Sequence, residues 1–293
     1  DVCSSDLEAF RTRGGRYVQV IVRGEGRVRA ISVRQTLAHP NRDGSFRCSD
    51  PLLTWAWDTG AHTIEASSED AYVDPWRERG LYVGDALVEH QANRSLTADP
   101  SLDRRCLELF AQSQNPDGVV LGCAPAWLDN PHLDYSFLWV VWLRDYVQWT
   151  QDHLYAGTHA ETVARILEAP HVARASSGLL IADGHHVFGD WAIAPEGRLG
   201  ESLVLNAIYL LALEAAEQMS PGSYAEAAER HRSALETLWD EGNARYAATR
   251  IRGELWGGSA IHGNVLACLA RLGSEGRQDK TLAYVRDRVA RCH

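Results

Sequence analysis

Two apolar segments decide the fold, "FLWVVWLRDYVQW" at residues 137–149 and "SLVLNAIYLLALEAA" at residues 202–216. Each is long enough for about three or four helical turns and is apolar on nearly every side. Such a helix has to be covered by other elements all round, so it lies inside a layered helical structure. We therefore predict a mainly α-helical protein with these two segments in its core.

The rest of the chain after about residue 50 continues the helical pattern. Ser49 or Asp50 is a suitable N-cap, and Pro51 suits the first helical position. Further segments with helical spacing lie at 84–97, 101–114, 133–152, 159–169, 200–219, 222–240, 259–272 and 278–292. Loops rich in Gly, Pro, Asn and Asp separate them. This order predicts a toroid of helical hairpins that is incomplete, rather than a four-helix bundle.

The first part of the chain has a different pattern. Residues 15–22 are β-branched and aromatic, residues 26–35 alternate with period two, and Gly24 and Gly26 suit a hairpin turn between them. Two strands alone are marginally stable, so we expect them to belong to a preceding sheet domain. The predicted organisation is the end of a β-sandwich or linker at 1–48 and a helical domain at 49–293.

Composition limits the classes of partner. The chain has 293 residues, 45% hydrophobic and 23% charged, with a net charge of -10, which is typical of a soluble globular protein and argues against nucleic acid or an anionic membrane as partner. No secretory signal pattern is present, and we expect both ends to be cut from a longer protein. The oligomeric state and the compartment are not determined, with the cytoplasm slightly favoured over secretion.

The stretch "DPWRERGLYVGDA" at residues 74–86 gathers three carboxylates, two arginines, two aromatic residues and two glycines. Gly80 and Gly84 permit a tight loop before a helix that begins near Asp85, which places Glu78 on a loop leading into a helix N-terminus. Such a group could grip a polar ligand and transfer a proton. A surface loop of ion pairs fits the spacing equally well.

Three further places carry candidate binding residues. Asp190 and Trp191, within "GHHVFGDWAIAPEG" at 184–197, could bind sugar hydroxyls and the apolar face of a sugar ring; the alternative is a loop tryptophan docked on the core. Asp134 precedes an apolar helix and could cap it. His262 opens a helix behind two glycines, where a buried histidine is the commoner outcome. No third ligand accompanies His185 and His186, so we expect no metal site.

The order of these segments resembles the catalytic region of bacterial α-L-rhamnosidases of glycoside hydrolase family 78. Residues 74–86 are similar to the family's loop D-C-P-x-R-E-x-x-x-x-x-G-D, and "HLDYSFLWVVWLRDYVQWTQD", "FGDWAIAPEG" and "SAIHGNVLACLARLG" follow in the family's order. The resemblance covers nearly the whole chain. It implies an (α/α)6 barrel of helical hairpins, a carbohydrate substrate, and no cofactor or metal.

The resemblance also implies roles for single residues. Glu78 stands where the family has its general acid, Arg77 is the loop arginine, and Asp85 is the sugar-binding aspartate of the closing Gly-Asp. The start of the loop departs from the family, because Asp74 occupies the place of the cysteine and Val73 that of the aspartate. The remaining predicted substrate-binding positions, matched to the Asp-Trp loop and to the barrel mouth, are Asp190, Trp191, Asp134 and His262.

The implied reaction is inverting hydrolysis that releases terminal α-L-rhamnose. The family's general base lies in a Trp-Glu motif that does not occur after His262. The resemblance therefore implies a base beyond residue 293 and a chain that is inactive alone. The alternatives are a different (α/α)6 exo-glycosidase, a lyase, or a non-catalytic carbohydrate-binding or scaffold module. Loss of cleavage in Glu78→Gln would separate an enzyme from such a module.

Overall fold

The computed structural model describes residues 17, 19–32, 38, 42–74, 78–126, 130–168, 172–258 and 260–291. The described residues form ten α-helices and four short strands. The helices are α1 (Pro51–Ala66), α2 (Val83–Asn93), α3 (Ser101–Gln112), α4 (Leu133–Thr150), α5 (His153–Thr158), α6 (Ala160–Glu168), α7 (Leu203–Met219), α8 (Ala225–Leu235), α9 (Ile261–Leu269) and α10 (Glu275–Ala290). The prediction of a mainly helical protein is confirmed.

The helices pack in two rows. An inner row runs α2, α4, α7, α9, each helix lying against the next, and an outer row of α1, α3, α6, α8 and α10 covers it. The two segments that decide the fold are α4 and α7, which pack along each other; the rings of Phe137 and Tyr209 lie 4.8 Å apart. Trp139 and Trp142 are fully buried. Apolar residues on all sides of α4 and α7 thus follow from their place between neighbours.

A buried polar network fixes α2 against α3 and α4. Asp103, fully buried on α3, is hydrogen-bonded to His90 Nδ1 at 2.7 Å and accepts hydrogen bonds from the Tyr72 hydroxyl at 2.9 Å and the Trp142 indole at 3.2 Å. Asn93 donates to the Tyr72 hydroxyl. A buried carboxylate with this many partners is well compensated for its lost hydration. The C-terminal half of α2 is therefore held firmly against α3 and α4.

The segment 222–240 was predicted to be one helix, but α8 ends at Leu235. The chain leaves α8 through a 3₁₀ turn and forms two small antiparallel hairpins, β1 (Trp239–Asp240) with β2 (Arg245–Tyr246) and β3 (Thr249–Ile251) with β4 (Glu254–Trp256). The second turn is made by Arg252 and Gly253, both with positive φ, as two-residue hairpin turns require. Residues with positive φ, Arg252 and Gly253, thus form a hairpin turn between β3 and β4.

The N-terminal strands predicted at 15–22 and 26–35 are not present in the described residues there, 17 and 19–32, which are exposed and carry no strand. Gly24 keeps the positive φ expected of a turn. Tyr17, Ile21 and Ile31 are largely exposed, with no neighbouring strand in the described chain to pair with. Isolated strand pairs are marginal in water, so alternation alone did not produce a sheet.

One helical stretch within the described residues, Pro195–Met219, has the length and composition of a membrane span. It contains α7, and 78% of its most apolar window is buried inside the protein. Core helices of this kind pass the same test of length and composition.

Candidate active site

The first wall of the site is formed by the loop before α2. The Asp74 N–H donates to the Gly80 carbonyl at 3.0 Å, and the Gly80 N–H donates to Asp74 Oδ1 at 2.8 Å, so the loop closes on itself. Glu78 lies exposed on this loop. Arg79 adopts a left-handed conformation and forms its ion pair with Glu69. The predicted residue Arg77 lies outside the described residues.

The carboxyl groups of this wall act on one another. The pKa of Asp85 is raised by partial desolvation, then by the negative charges of Asp74 and Glu78, although its side chain keeps contact with solvent. Burial raises the pKa of Tyr82 to about 12, with Cys123 and Glu78 adding to the effect. Like charges held this close disfavour full ionisation. The first wall therefore favours groups that keep a proton.

Glu89, which the sequence analysis missed, belongs to the same cluster. It lies one helical turn after Asp85, and burial together with the charges of Asp85, Asp74 and Asp103 raises its pKa to about 8. Its Oε2 atom is buried without a hydrogen bond among the described residues. The sequence did hold a signal: two acidic residues at i and i+4 destabilise a helix slightly, so their presence needs another reason.

The second wall is the loop before α7, and Asp134 holds it. Asp134 is fully buried in the first turn of α4, and its Oδ2 accepts the N–H groups of Phe188 at 3.1 Å and Gly189 at 2.7 Å. The predicted role of Asp134 in substrate binding is corrected, because the side chain has no surface that a sugar could touch. It forms no side-chain cap of α4 either.

Asp190 stands next in this loop and faces the start of α9. Its Oδ1 accepts the Ala192 N–H at 2.7 Å and lies 3.5 Å from His262 Nε2, while its backbone carbonyl accepts a hydrogen bond from Arg198 at 2.5 Å. Asp190 and His262 both keep solvent contact, with side chains 47% and 35% exposed. Asp190 is placed to accept hydrogen bonds from a polar ligand, and the His262 ring is placed to donate one to it.

Trp191 follows Asp190 and is 81% exposed. Its ring meets Phe188 edge-on at 5.2 Å, and the guanidinium of Arg198 lies 5.7 Å from the Phe188 ring. A tryptophan that offers most of its surface to solvent beside a polar pair is typical of a carbohydrate contact. The alternative of a loop tryptophan docked on the core does not describe Trp191.

Tyr135 joins the two walls. Its ring lies 5.8 Å from Phe188, and its hydroxyl is so close to Gly84 that an added Cβ there would stand 2.8 Å from it. Burial raises the pKa of Tyr135, and the charges of Asp85, Asp134 and Asp190 add to the effect. The first turns of α2, α4 and α9 thus meet around the loop before α7. Tyr135 thus lies within electrostatic reach of Asp85 on the first wall and of Asp190 on the second.

A pair of histidines supports the second wall from behind. The rings of His132 and His186 lie 3.9 Å apart, and burial, with His186 adding, lowers the pKa of His132 to about 4. His132 is therefore neutral near pH 7. Across the part of the chain that the structure describes, no group of three or more His, Cys, Asp or Glu residues is arranged to hold a metal ion.

Comparison with known proteins identifies the family. The model of the bacterial α-L-rhamnosidase six-hairpin glycosidase domain matches residues 41–291. The chain resembles the family 78 rhamnosidase of Bacillus sp. GL1, with a TM-score of 0.75 and 25% identity over 86% of this chain and 28% of that one. It also resembles a Klebsiella oxytoca rhamnosidase with rhamnose bound, with a TM-score of 0.70 and 25% identity over 84% of this chain and 49% of that one.

The Streptomyces avermitilis α-L-rhamnosidase complexed with L-rhamnose shares the fold, with a TM-score of 0.65 at 17% identity over 85% of this chain and 24% of that one. No curated protein matches. The chain thus spans less than half of the length of each of these solved structures. The family match covers most of the present chain, which belongs to the bacterial α-L-rhamnosidases of glycoside hydrolase family 78 and carries their six-hairpin glycosidase domain.

Proposed function

We propose that this protein hydrolyses glycosides that end in α-L-rhamnose and releases that sugar. The observation that carries the proposal is the meeting of two unlike walls at Tyr135, a carboxyl-rich loop on one side and an Asp-Trp loop on the other, within a domain of the rhamnosidase family. The Klebsiella oxytoca relative was solved with rhamnose bound. We transfer the substrate class, glycosides of rhamnose, from that relative to this chain.

Glu78 is the proposed general acid. A general acid must hold its proton near neutral pH and be able to reach the glycosidic oxygen. Glu78 is exposed, which gives access, and it shares its loop with Asp74 and faces Asp85, whose pKa it helps to raise. Tyr82, which stays protonated with a pKa of about 12, lies close enough to interact with it. Its exposure on the loop and its place in the family's loop pattern support the assignment.

The remaining proposed contacts divide between the walls. Asp85 keeps solvent contact beside Glu78, so it is placed to bind sugar hydroxyls. Asp74 and Arg77 remain further proposed contacts on the family pattern alone. Asp190 and His262 offer an acceptor and a ring N–H on the opposite wall. The Trp191 indole covers the apolar face of the ring. No metal or organic cofactor enters this proposal.

We further propose that the reaction inverts the anomeric configuration. An inverting hydrolase places its two carboxyl groups roughly 6.5–9.5 Å apart so that a water fits between the base and the sugar. Asp74, Asp85 and Glu89 lie on the same wall as Glu78, so they are not placed to act across the sugar ring. The base is assigned, from the family pattern, to a glutamate outside residues 1–293.

Two structural proposals accompany the function. The inner and outer rows of helices are proposed to be part of an (α/α)6 barrel, with the first turns of α2, α4 and α9 at its mouth. A boundary near residue 48 is proposed between a preceding segment and the helical domain. Support comes from the helices beginning at Pro51 and from the family match beginning at residue 41.

The test is binding of free L-rhamnose by isothermal titration, followed by release of rhamnose from an aryl α-L-rhamnoside by the longer protein that includes the proposed base. Binding should be selective over L-fucose and D-glucose, because the hydroxyl pattern is read by fixed groups. Glu78→Gln should retain binding and lose hydrolysis. Absence of rhamnose binding in the wild type would contradict the proposed function, and equal hydrolysis by Glu78→Gln would remove Glu78 as the acid.

A further inference from the structure

Asp134 is the most buried charged residue near the site, and it faces backbone rather than solvent. It is fully buried, and its Oδ2 accepts two consecutive N–H groups, those of Phe188 and Gly189. The neighbouring Leu133 N–H donates to the His186 carbonyl at 3.0 Å. The first turn of α4 is thereby fastened to the loop 186–189 at three points. Hydrogen bonds to an ionised acceptor are about twice as strong as neutral ones.

The residues that follow this attachment are the ones that face the ligand. Gly189 adopts a positive φ of 62°, where an added Cβ would stand 2.6 Å from Ile193 Cδ1, so the chain turns tightly just before Asp190. Asp190 then meets His262, and Trp191 extends into solvent against Phe188. The position of both side chains is therefore set by where the amides of residues 188 and 189 are held.

We propose that Asp134 is a positioning residue, which fixes Asp190 and Trp191 in the sugar site by holding the backbone of Phe188 and Gly189. The inference rests on the proposed function, since it assigns a purpose to the loop that Asp134 holds. Its carboxylate acts through the loop and does not touch the substrate. Burial raises the pKa of Asp134, and the N–H groups of Gly189 and Phe188 oppose that shift.

A matched control exists in Asn206. This residue is also fully buried, and its side chain holds the backbone of Leu180 through Oδ1 at 2.8 Å and Nδ2 at 3.0 Å. Leu180 carries no side chain of the proposed site. Asn206→Ala therefore removes a buried loop attachment of similar kind and leaves the loop 188–191 in place.

The experiment is a double-mutant cycle on L-rhamnose binding with Asp134→Ala, Trp191→Ala and the double variant. We expect each single variant to weaken binding about 10-fold, which is about 1.4 kcal/mol, and the double variant to be little weaker than either. Non-additivity of this kind shows that two residues act through one unit. Asn206→Ala, alone or combined with Trp191→Ala, should add no loss of binding. Where Asp134→Ala fails to fold, Asp134→Asn replaces it and should show a smaller loss with the same coupling.

Hydrogen exchange of the Phe188 and Gly189 amides provides a readout without ligand. Both should lose protection in the Asp134 variants and keep it in Asn206→Ala. Independent, multiplicative losses in the cycle, or unchanged protection of these amides, would overturn the positioning role. A wild type that binds no rhamnose would instead contradict the proposed function, and the amide exchange would then decide the role of Asp134 by itself.

Discussion

The two walls of the candidate site use charge in opposite ways. The wall formed by the loop 74–82 and α2 brings several carboxyl groups together, and burial, with the neighbouring negative charges adding to it, raises the pKa values of Asp85 and Glu89. The wall formed by the loop 186–198 holds the half-exposed carboxylate of Asp190 next to a backbone N–H and the His262 ring. The first wall thus holds carboxyl groups with raised pKa values, whereas the second offers the Asp190 carboxyl group as a hydrogen-bond acceptor and the aromatic surface of Trp191.

The difference shows how one fold supplies both proton transfer and binding. The N-terminal ends of helices favour negative charge, and Asp85 and Asp134 both lie in the first turn of an inner helix. Asp85 is left facing other acids, whereas Asp134 is given two N–H donors. Burial raises the pKa of both carboxyls, but in Asp134 the two N–H groups oppose the shift, whereas in Asp85 the charges of Asp74 and Glu78 add to it. Each prediction below tests one wall against the other.

The largest effect is expected for Glu78→Gln, which removes the proton donor of the first wall. General acid catalysis contributes about 10²–10⁴-fold, so hydrolysis of a rhamnoside with a poor leaving group should fall by that factor. An aryl rhamnoside with a good leaving group needs less protonation and should lose less. Turnover of the longer protein that includes the proposed base, measured on both substrates, checks this expectation. An equal loss on both, with unchanged rhamnose affinity, would contradict the role of Glu78 as acid.

The next effect concerns the pH dependence of stability through Glu89. A free glutamate ionises near pH 4.3, whereas Glu89 in the folded protein has a pKa of about 8. Between these values the unfolded chain loses the proton and the folded one keeps it, so the free energy of unfolding falls as pH rises. One such group contributes at most about 1.4 kcal/mol per pH unit, and residual solvent contact makes the slope smaller.

Glu89→Gln removes this titration, so the variant should gain stability relative to the wild type from pH 5 to pH 8, and the gain should level off above pH 8. Denaturant unfolding at several pH values measures it. Glu254→Gln, an exposed residue of β4, is the control and should show no such trend. Parallel curves for Glu89→Gln and the wild type would mean that Glu89 is ionised in the folded protein.

A third prediction concerns the contact that joins the walls. In Gly84→Ala the new Cβ would stand 2.8 Å from the Tyr135 hydroxyl, so Tyr135 or α2 has to move. Overpacking of this kind costs about 1–3 kcal/mol of stability, and rhamnose binding should weaken with it. Gly60→Ala in α1 is the matched control, because nothing lies within 4 Å of its Cβ; it should stabilise by up to about 1 kcal/mol. A Gly84→Ala variant as stable as the wild type would show that the walls are not in tight contact.

How much of the fold could be predicted from the sequence depends on how far apart along the chain the interacting residues lie. The core position of α4 and α7 follows from their composition, because a helix that is apolar on all sides is stable only between neighbours. The hairpins at 239–256 were missed because their strands, of two or three residues each, are too short to show an alternating pattern. Only residues 239 and 240 fell within a predicted helix, 222–240. The N-terminal strands are not confirmed: residues 17 and 19–32 carry no strand, since a period of two does not supply the neighbouring strand that a sheet needs.

The site shows the same division. The loop around Glu78 and Asp85 could be found from the sequence, because its acids, arginines and glycines lie within 13 consecutive residues. The role of Asp134 could not, because the N–H groups it holds are 54 and 55 residues away. Tyr135 was part of a quoted motif, but only its packing against Gly84 and Phe188 shows that it joins two loops. Long-range backbone contacts of this kind leave no local pattern.

The smallest effect, and the one that isolates the second wall, is expected for Trp191→Ala. The indole is 81% exposed, so its removal should change the free energy of unfolding by no more than about 0.5 kcal/mol. If it stacks on the sugar, rhamnose affinity should fall about 3- to 10-fold, corresponding to about 0.5–1.5 kcal/mol for an aromatic contact. Trp55→Ala in α1 is the control, because that indole is 62% exposed and α1 packs against α2, away from α9. Titration should show that the Trp55→Ala variant binds rhamnose as tightly as the wild type. Equal losses in both variants would mean that the effect is a general one of surface aromatic residues, and the second wall would then retain only Asp190 and His262 as binding groups.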